Sequence, residues 1–230
     1  MAHRILKRYP RSIYVGGKPV EQHFNYLLVL DLESTCKKYE MLNPQEIIEF
    51  PCAAVSTKTF QVENVFHEYV KPVHHPQLTA FCTELTGIIQ DMVENQSRFP
   101  EVFNKFCEWL EEHNYFKDGN DCAFVTSGDW DLKTMLPSQC KLSNVSLPDH
   151  FTKWINLKLT FCDATQYYPK GIKDMLTHQN LPFEGRLHSG IDDVKNMVRI
   201  IENLHTNHNV QFKINSAPNI IEEYLKNKKR

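Results

Sequence analysis

The chain lacks several things that would have settled its class at once. No stretch approaches the ~18 consecutive apolar residues that a membrane-crossing helix needs. The N-terminus, MAHRILKRYPRS, is basic but has no apolar segment behind the charges, so it does not read as a secretion signal. No C-x-x-C pair occurs, and the seven cysteines (36, 52, 82, 107, 122, 140 and 162) are scattered and odd in number. That pattern argues against a disulfide framework and against a structural zinc site. It suits a reducing, intracellular setting, cytoplasmic or nuclear. There is no internal repeat and no low-complexity tract. Net positive charge is missing too, at −2 overall. The balance is uneven, however: residues 1–20 carry +5, residues 221–230 carry +2, and the 200 residues between them carry −9. An acidic body with basic ends fits a cation-dependent site served by arms that touch polyanions. Ends that are simply solvated fit the same numbers.

What remains is the composition of an ordinary soluble domain, 41% hydrophobic and 23% charged. Its 230 residues suit one domain with short arms. The expected division is a basic arm at 1–25, a body at 26–215 and a basic tail at 216–230. Strand patterns come early. Residues 26–33 form one, and EIIEFPCAAVST (46–57) and FQVENVFHEYV (60–70) form two more, close enough to be a hairpin. FPEVFNKFCEWLEEH (99–113) places Val102, Phe103, Phe106, Trp109 and Leu110 on one helical stripe. CAFVTSG (122–128) is a short strand ending in a turn, and WINLKLTFCDA (154–164) reads as either strand or helix. GIKDMLTHQ predicts a short helix, 189–206 a longer one, and VQFKIN (210–215) a late edge strand. Strands followed by strand–helix alternation imply an α/β fold with a mixed sheet of roughly five strands.

The apolar strand LLVL ends in Asp31 and Glu33. Side chains alternate along a strand, so both carboxylates project to one face while Leu32 takes the other. Two such groups repel and tend to take up a proton. A divalent cation removes the conflict, and oxygen ligands suit Mg²⁺ or Mn²⁺. By itself D-x-E is also what an exposed strand end can carry. In GRLHSGIDDVKNMVRIIENLH (185–205), Ser189 and Asp192 form a helix-start signature of the capping-box kind. On a wheel of 3.6 residues per turn, Asp193 lies beside the stripe of Val194, Met197, Val198, Ile201 and Leu204, and Asp192 points away. Asp193 therefore faces inward, and His188 just before the helix is a candidate for proton transfer at a metal site. TSGDWD (126–131) supplies Asp129 and Asp131 after a strand. Either could join a site, and either could instead cap a helix.

The stretches LVLDLESTC, NPQEIIEFP, YVKPVHHPQLTAFCTELTGI, FVTSGDWDLKTMLPSQC, FTKWINLK and GRLHSGIDDVKNMVRI together resemble the Eri-type 3′–5′ exoribonucleases, including the Snipper-like and prion-protein-interacting members. These form part of the DEDDh branch of the DnaQ-like exonucleases. The resemblance implies an RNase H-like α/β/α fold with the site at the carboxyl edge of the sheet. It assigns Asp31, Glu33, Asp131 (rather than Asp129) and Asp193 as metal ligands and His188 as general base. It implies a two-metal mechanism with Mg²⁺, for which Mn²⁺ can substitute. RNA with a free 3′ end is the implied substrate, DNA a further candidate, and nucleoside 5′-monophosphates the products. Substrate contacts are implied for Leu85, Thr86, Gly87 and Ile88 of ELTGI, for Ser34 and Thr35, and for Trp130, well placed to stack on a base. Trp130 could equally be a core residue, and ELTGI a packed helix turn. The rival class is a non-catalytic nucleic-acid-binding adaptor on the same fold, but pure binding has no need of the four acids and the histidine. The first 25 residues are too short for the extra nucleic-acid-binding module of some members, and the tail lacks zinc-finger spacing, so substrate choice is expected to rest on the catalytic domain and its arms.

Overall fold

The computed structural model describes residues 18–217. Most of the expected basic arm (1–17) and tail (218–230) lie outside the described residues. The central sheet has six strands: β1 (Tyr26–Leu30), β2 (Glu33–Ser34), β3 (Ile47–Ser56), β4 (Val62–Tyr69), β5 (Cys122–Thr126) and β6 (Trp154–Asn156). β3 and β4 form the expected antiparallel hairpin, and β5 and β6 run parallel to β1. Glu33 of β2 keeps the register of β1 against β3, with Leu30 opposite Cys52 and Glu33 opposite Glu49, before a shift places Ser34 opposite Ile47. The single strand expected at 26–33 is thus interrupted at Asp31 and Leu32. That interruption makes the site possible, as described below.

Alternation along β1 sorts its side chains into two cores. Leu28 and Leu30 join Phe50, Cys52 and the stripe of α3 (Phe99–Glu112), where Phe99, Val102, Phe103, Phe106 and Leu110 are buried. Trp109, expected on that stripe, packs only partly buried at its edge. Leu27 and Val29 face the opposite way, against α5 (Leu157–Thr165), α6 (Ile172–Gln179) and α7 (Gly190–His208). The buried face of α7 includes Val194, Met197, Val198, Ile201 and Leu204, the stripe its periodicity predicts. Two short helices, α1 (Ala80–Thr86) and α2 (Gln90–Glu94), cover Ile48 near β2. The result is the expected three-layer α/β/α arrangement. Residues 20–24 are tied to the same body: Val20 N donates to Asn209 Oδ1 (2.7 Å) and Gln22 Nε2 to the Val210 carbonyl (2.9 Å).

Two local readings resolve or change. WINLKLTFCDA is both things in turn: three residues of β6, then α5, whose N-terminus is capped by Asn156 Oδ1 accepting from Leu159 N (3.3 Å). The late edge strand expected at 210–215 does not form. Only Ser216 bridges Trp154, because Asn156 N is already taken by the Asn215 side chain (2.7 Å) and the ladder has no further amide to use. Phe212 of that segment is fully buried, which accounts for its alternating pattern without a strand.

Candidate active site

The site begins at the break in the edge of β1. Leaving the ladder frees the Leu32 amide, and Asp131 Oδ1 accepts it at 2.9 Å. Asp131 opens a widened π turn, Asp131–Met135, that leads into α4 (Leu136–Leu142). Pro137 follows immediately and has no N–H to offer a regular turn, and its ring would clash with the carbonyl of Lys133 four residues back, so widening the turn relieves both demands. The neighbouring Asp129 has a different fate. Its Oδ1 accepts from Trp154 Nε1 (3.0 Å), Asn156 Nδ2 (2.9 Å) and Ser216 Oγ (2.8 Å), tying β6 to the loop after β5. Hydrogen bonding thus separates the two aspartates: Asp129 Oδ1 is engaged by three side-chain donors, and Asp131 Oδ1 by the Leu32 amide at the end of β1.

From the other side comes the N-terminus of α7, seated on the end of β1. A Cβ at Gly190 would lie 2.8 Å from the Asp31 carbonyl and 2.9 Å from Pro51 Cγ, so only glycine allows this approach. The helix is anchored by Glu49, fully buried in β3, which accepts Gly190 N (2.9 Å) and Ile191 N (3.2 Å) and bonds His67 Nε2 (2.8 Å). The capping box takes another form than its sequence signature suggests. Ser189 makes no side-chain cap bond to the helix. Instead the two acids reach backward: Asp192 Oδ2 accepts Arg186 N (3.0 Å) and Asp193 Oδ2 accepts His188 N (2.8 Å). Together they fold the preceding loop, in which Gly185 and His188 have positive φ, over the mouth of the site. Asp193 is buried, as the wheel requires, and its Oδ1 has no partner.

Donor atoms of Glu33, His188 and Asp193 all lie within 4.8 Å of one another, close enough to hold one metal ion. Asp31 and Asp131 complete the cluster electrostatically. Burial pushes the Asp31 carboxyl well above its ordinary range, and the charges of Asp131, Asp193, Glu33 and Glu49 push it further. Glu33 is raised to about 9, mainly by burial and then by Asp193, Glu49 and Asp131. Asp193 is raised to about 7 by burial, which its bond from His188 N only partly offsets. Burial raises Asp131 only to about 6, since the Leu32 amide and the charge of Lys158 favour its ionised form. Partial burial lowers His188, leaving a neutral imidazole at neutral pH. Four carboxyls all raised above their ordinary range, with one buried oxygen left unpartnered, fit a divalent cation.

The residues expected to touch substrate divide in two. Trp130 is 40% exposed beside Asp131 rather than in the core, and Leu85 and Gly87 are partly exposed. Thr35, Thr86, Ile88 and Ser34 are buried. Thr35 Oγ1 accepts Glu46 N, Thr86 Oγ1 donates to the Cys82 carbonyl and accepts Ile88 N, and Ile88 packs in the small core under α1. Those three side chains are occupied by the fold. Over Gly87 (φ 80°) lies the Arg186 side chain, whose Nη2 donates to the Glu84 carbonyl, joining ELTGI to the His188 loop. Sequence reasoning missed Arg186, and it missed Glu49. Glu49 did leave a signal, a lone acid inside the apolar run IIEFPCAAV.

An α/β/α sheet with an acidic cluster at the carboxyl end of its central strand defines a class of metal-dependent phosphodiester enzymes, and comparison with known proteins agrees. The exonuclease profile RNase T matches residues 28–201. The chain belongs to that exonuclease family. It is 47% identical over 184 residues to human ERI1 exoribonuclease 3, a match covering 80% of this chain and 54% of that protein. It is 37% identical over 193 residues to the 3′-5′ exonuclease Snipper of Drosophila melanogaster, covering 76% of this chain and 68% of that one. The chain thus spans about half the length of the ERI1 exoribonuclease 3 proteins it matches. Among solved structures, the nuclease domain of 3′hExo, a DEDDh family member bound to rAMP, superposes with a TM-score of 0.79 at 30% identity, over 86% of this chain and all of that one. A second neighbour, a 3′-exonuclease described in 3′-end specific recognition of a histone mRNA stem-loop, gives 0.81 at 30% identity, over 86% of this chain and 68% of that one.

Proposed function

We propose that this chain is a divalent-cation-dependent 3′–5′ exonuclease that hydrolyses RNA from its 3′ end and releases nucleoside 5′-monophosphates, with DNA as a further substrate. The observation that carries the reading is the convergence of Glu33, His188 and Asp193 with Asp31 and Asp131 around an unpartnered buried oxygen. The relatives named exoribonuclease and 3′-5′ exonuclease support it. Asp31, Glu33, Asp131 and Asp193 would hold Mg²⁺, with Mn²⁺ as a substitute. The cation would supply positive charge against the phosphate and the attacking water.

The remaining work falls to the chain. His188, neutral and set beside Glu33 and Asp193, takes the proton of the attacking water. Its backbone is held in place by the bond from its own amide to Asp193. Trp130 offers an exposed ring for the terminal base, and Leu85 and Gly87, partly exposed, are further candidates for contact with the strand. RNA and DNA, each labelled at the 3′ or the 5′ end, should be shortened stepwise from the 3′ end in Mg²⁺ and left intact in EDTA. Asp31→Ala should remove that activity while circular dichroism stays unchanged. Mononucleotide release persisting in the variant would refute the metal assignment.

A further inference from the structure

The acidic centre attracts cations but repels the nucleic acid it must hold. Asp31, Glu33, Asp131 and Asp193 stand together, with the Glu49 charge behind them. Some positive group at the rim has to meet the strand itself. Several nearby cations are already committed: Arg186 to the Glu84 carbonyl, Lys195 to Asp192 at 3.1 Å, Arg199 to Glu184 at 3.0 Å.

Lys158 differs. It sits in the first turn of α5, where WINLK passes from β6 into helix, and it is only partly buried. Its backbone is fixed twice over: its amide donates to the Ser127 carbonyl (3.2 Å), and the turn is capped by Asn156. Its Nζ extends along the TSGDWD loop, 3.9 Å from where a Cβ at Gly128 would stand. It belongs to none of the ion pairs among the described residues. Yet it is near enough to Asp131 for its charge to favour that carboxylate. The same loop carries Trp130, the exposed ring beside the centre.

We propose that Lys158 contacts the substrate directly, binding a backbone phosphate of the strand held at the acidic centre while Trp130 takes a base on the same rim. This rests on the exonuclease reading and adds a residue that the acidic and histidine motifs do not contain. A lysine suits the task because a phosphate oxygen is met by a point charge on a flexible stem. The fixed backbone limits the ordering cost of engaging it.

The test is steady-state hydrolysis of single-stranded RNA at several KCl concentrations by the wild-type chain, Lys158→Met, Lys158→Gln and Lys158→Arg. Removing the charge should raise KM about tenfold or more, with kcat changed much less. It should also flatten the dependence of log KM on log salt by about 0.7, the value of one single-strand phosphate contact. Lys158→Arg should restore both. Two neutral variants of different shape guard against a loss that comes from packing, which thermal melting will reveal. An unchanged KM, or a raised KM with the wild-type salt slope, overturns the proposal and leaves Lys158 a neighbour of Asp131 alone. A wild-type chain that leaves RNA intact overturns the exonuclease reading, and with it this one.

Discussion

At the scale of single residues, adjacent aspartates do opposite jobs. Asp192 is ionised and outward: burial raises its carboxyl, but the Arg186 amide, Lys195 and Ser189 together hold it below its ordinary value. Asp193 is inward and held above its own. Asp192→Ala should cost about 1 kcal/mol of stability, as for a lost helix-start interaction, while most activity survives. Asp193→Asn should do the reverse. It keeps an acceptor for His188 N and removes a repelled charge, so the metal-free protein should melt no lower than wild type, while turnover falls roughly a hundredfold or more. Chemical denaturation and rate measurements on both variants check this, and equal effects would discard the division of labour. A similar contrast separates Asp129 from Asp131. For Asp129 and Asp131 the difference lies in which amides and hydroxyls come within reach, and their partners at Trp154, Ser216 and Leu32 are distant in the chain.

At the scale of elements, the site depends on how closely α7 can approach β1. Gly190 sits under the Asp31 carbonyl and beside Pro51, and Glu49 accepts the first two helix amides. Gly190→Ala puts a methyl where no space exists. The helix must shift by several tenths of an ångström, carrying Asp193 and His188 away from Glu33. We expect a loss of roughly 1–3 kcal/mol, the usual cost of overpacking a tight contact, and a fall in kcat larger than the loss of stability alone explains. Wild-type kinetics in this variant would show that the approach has slack. The α7 stripe and the α3 stripe were legible from period alone, because long helices with one buried face carry a strong signal. The strand expected at 210–215 failed for the converse reason. Alternation reports burial of every second side chain, and Phe212 can be buried without a ladder.

At the scale of the whole molecule, the acidic centre should govern how stability responds to pH. Glu33 and Asp193 have folded values of about 9 and about 7, well above the ordinary carboxyl range near 4. The folded state therefore holds more protons than the unfolded chain between those limits. Stability is highest below about pH 4 for these groups and is lost as pH rises through 7 and then 9. A divalent cation bound at the cluster would replace the protons and cancel the loss. The melting temperature in EDTA should fall from pH 5 to pH 9, and added Mg²⁺ should raise it more at the upper end than at the lower. A Mg²⁺ effect that shrinks as pH rises would contradict the cluster. Other carboxyls in the protein respond oppositely, as Asp192 does, so the difference between the EDTA and Mg²⁺ curves is the quantity to read.

Order and type of residues were enough to declare a mixed α/β sheet, the inward Asp193, the histidine beside it and the paired Asp31 and Glu33, because period and local spacing survive in a one-dimensional string. The tertiary structure alone decided that β1 breaks to expose an amide for Asp131, that Glu49 anchors the start of α7, that Thr35, Thr86 and Ile88 are engaged within the fold, and that Lys158 comes near Asp131. Each of those rests on contact between segments distant along the chain. Such contacts exist only once strand register and helix docking have brought the partners within hydrogen-bonding or van der Waals range.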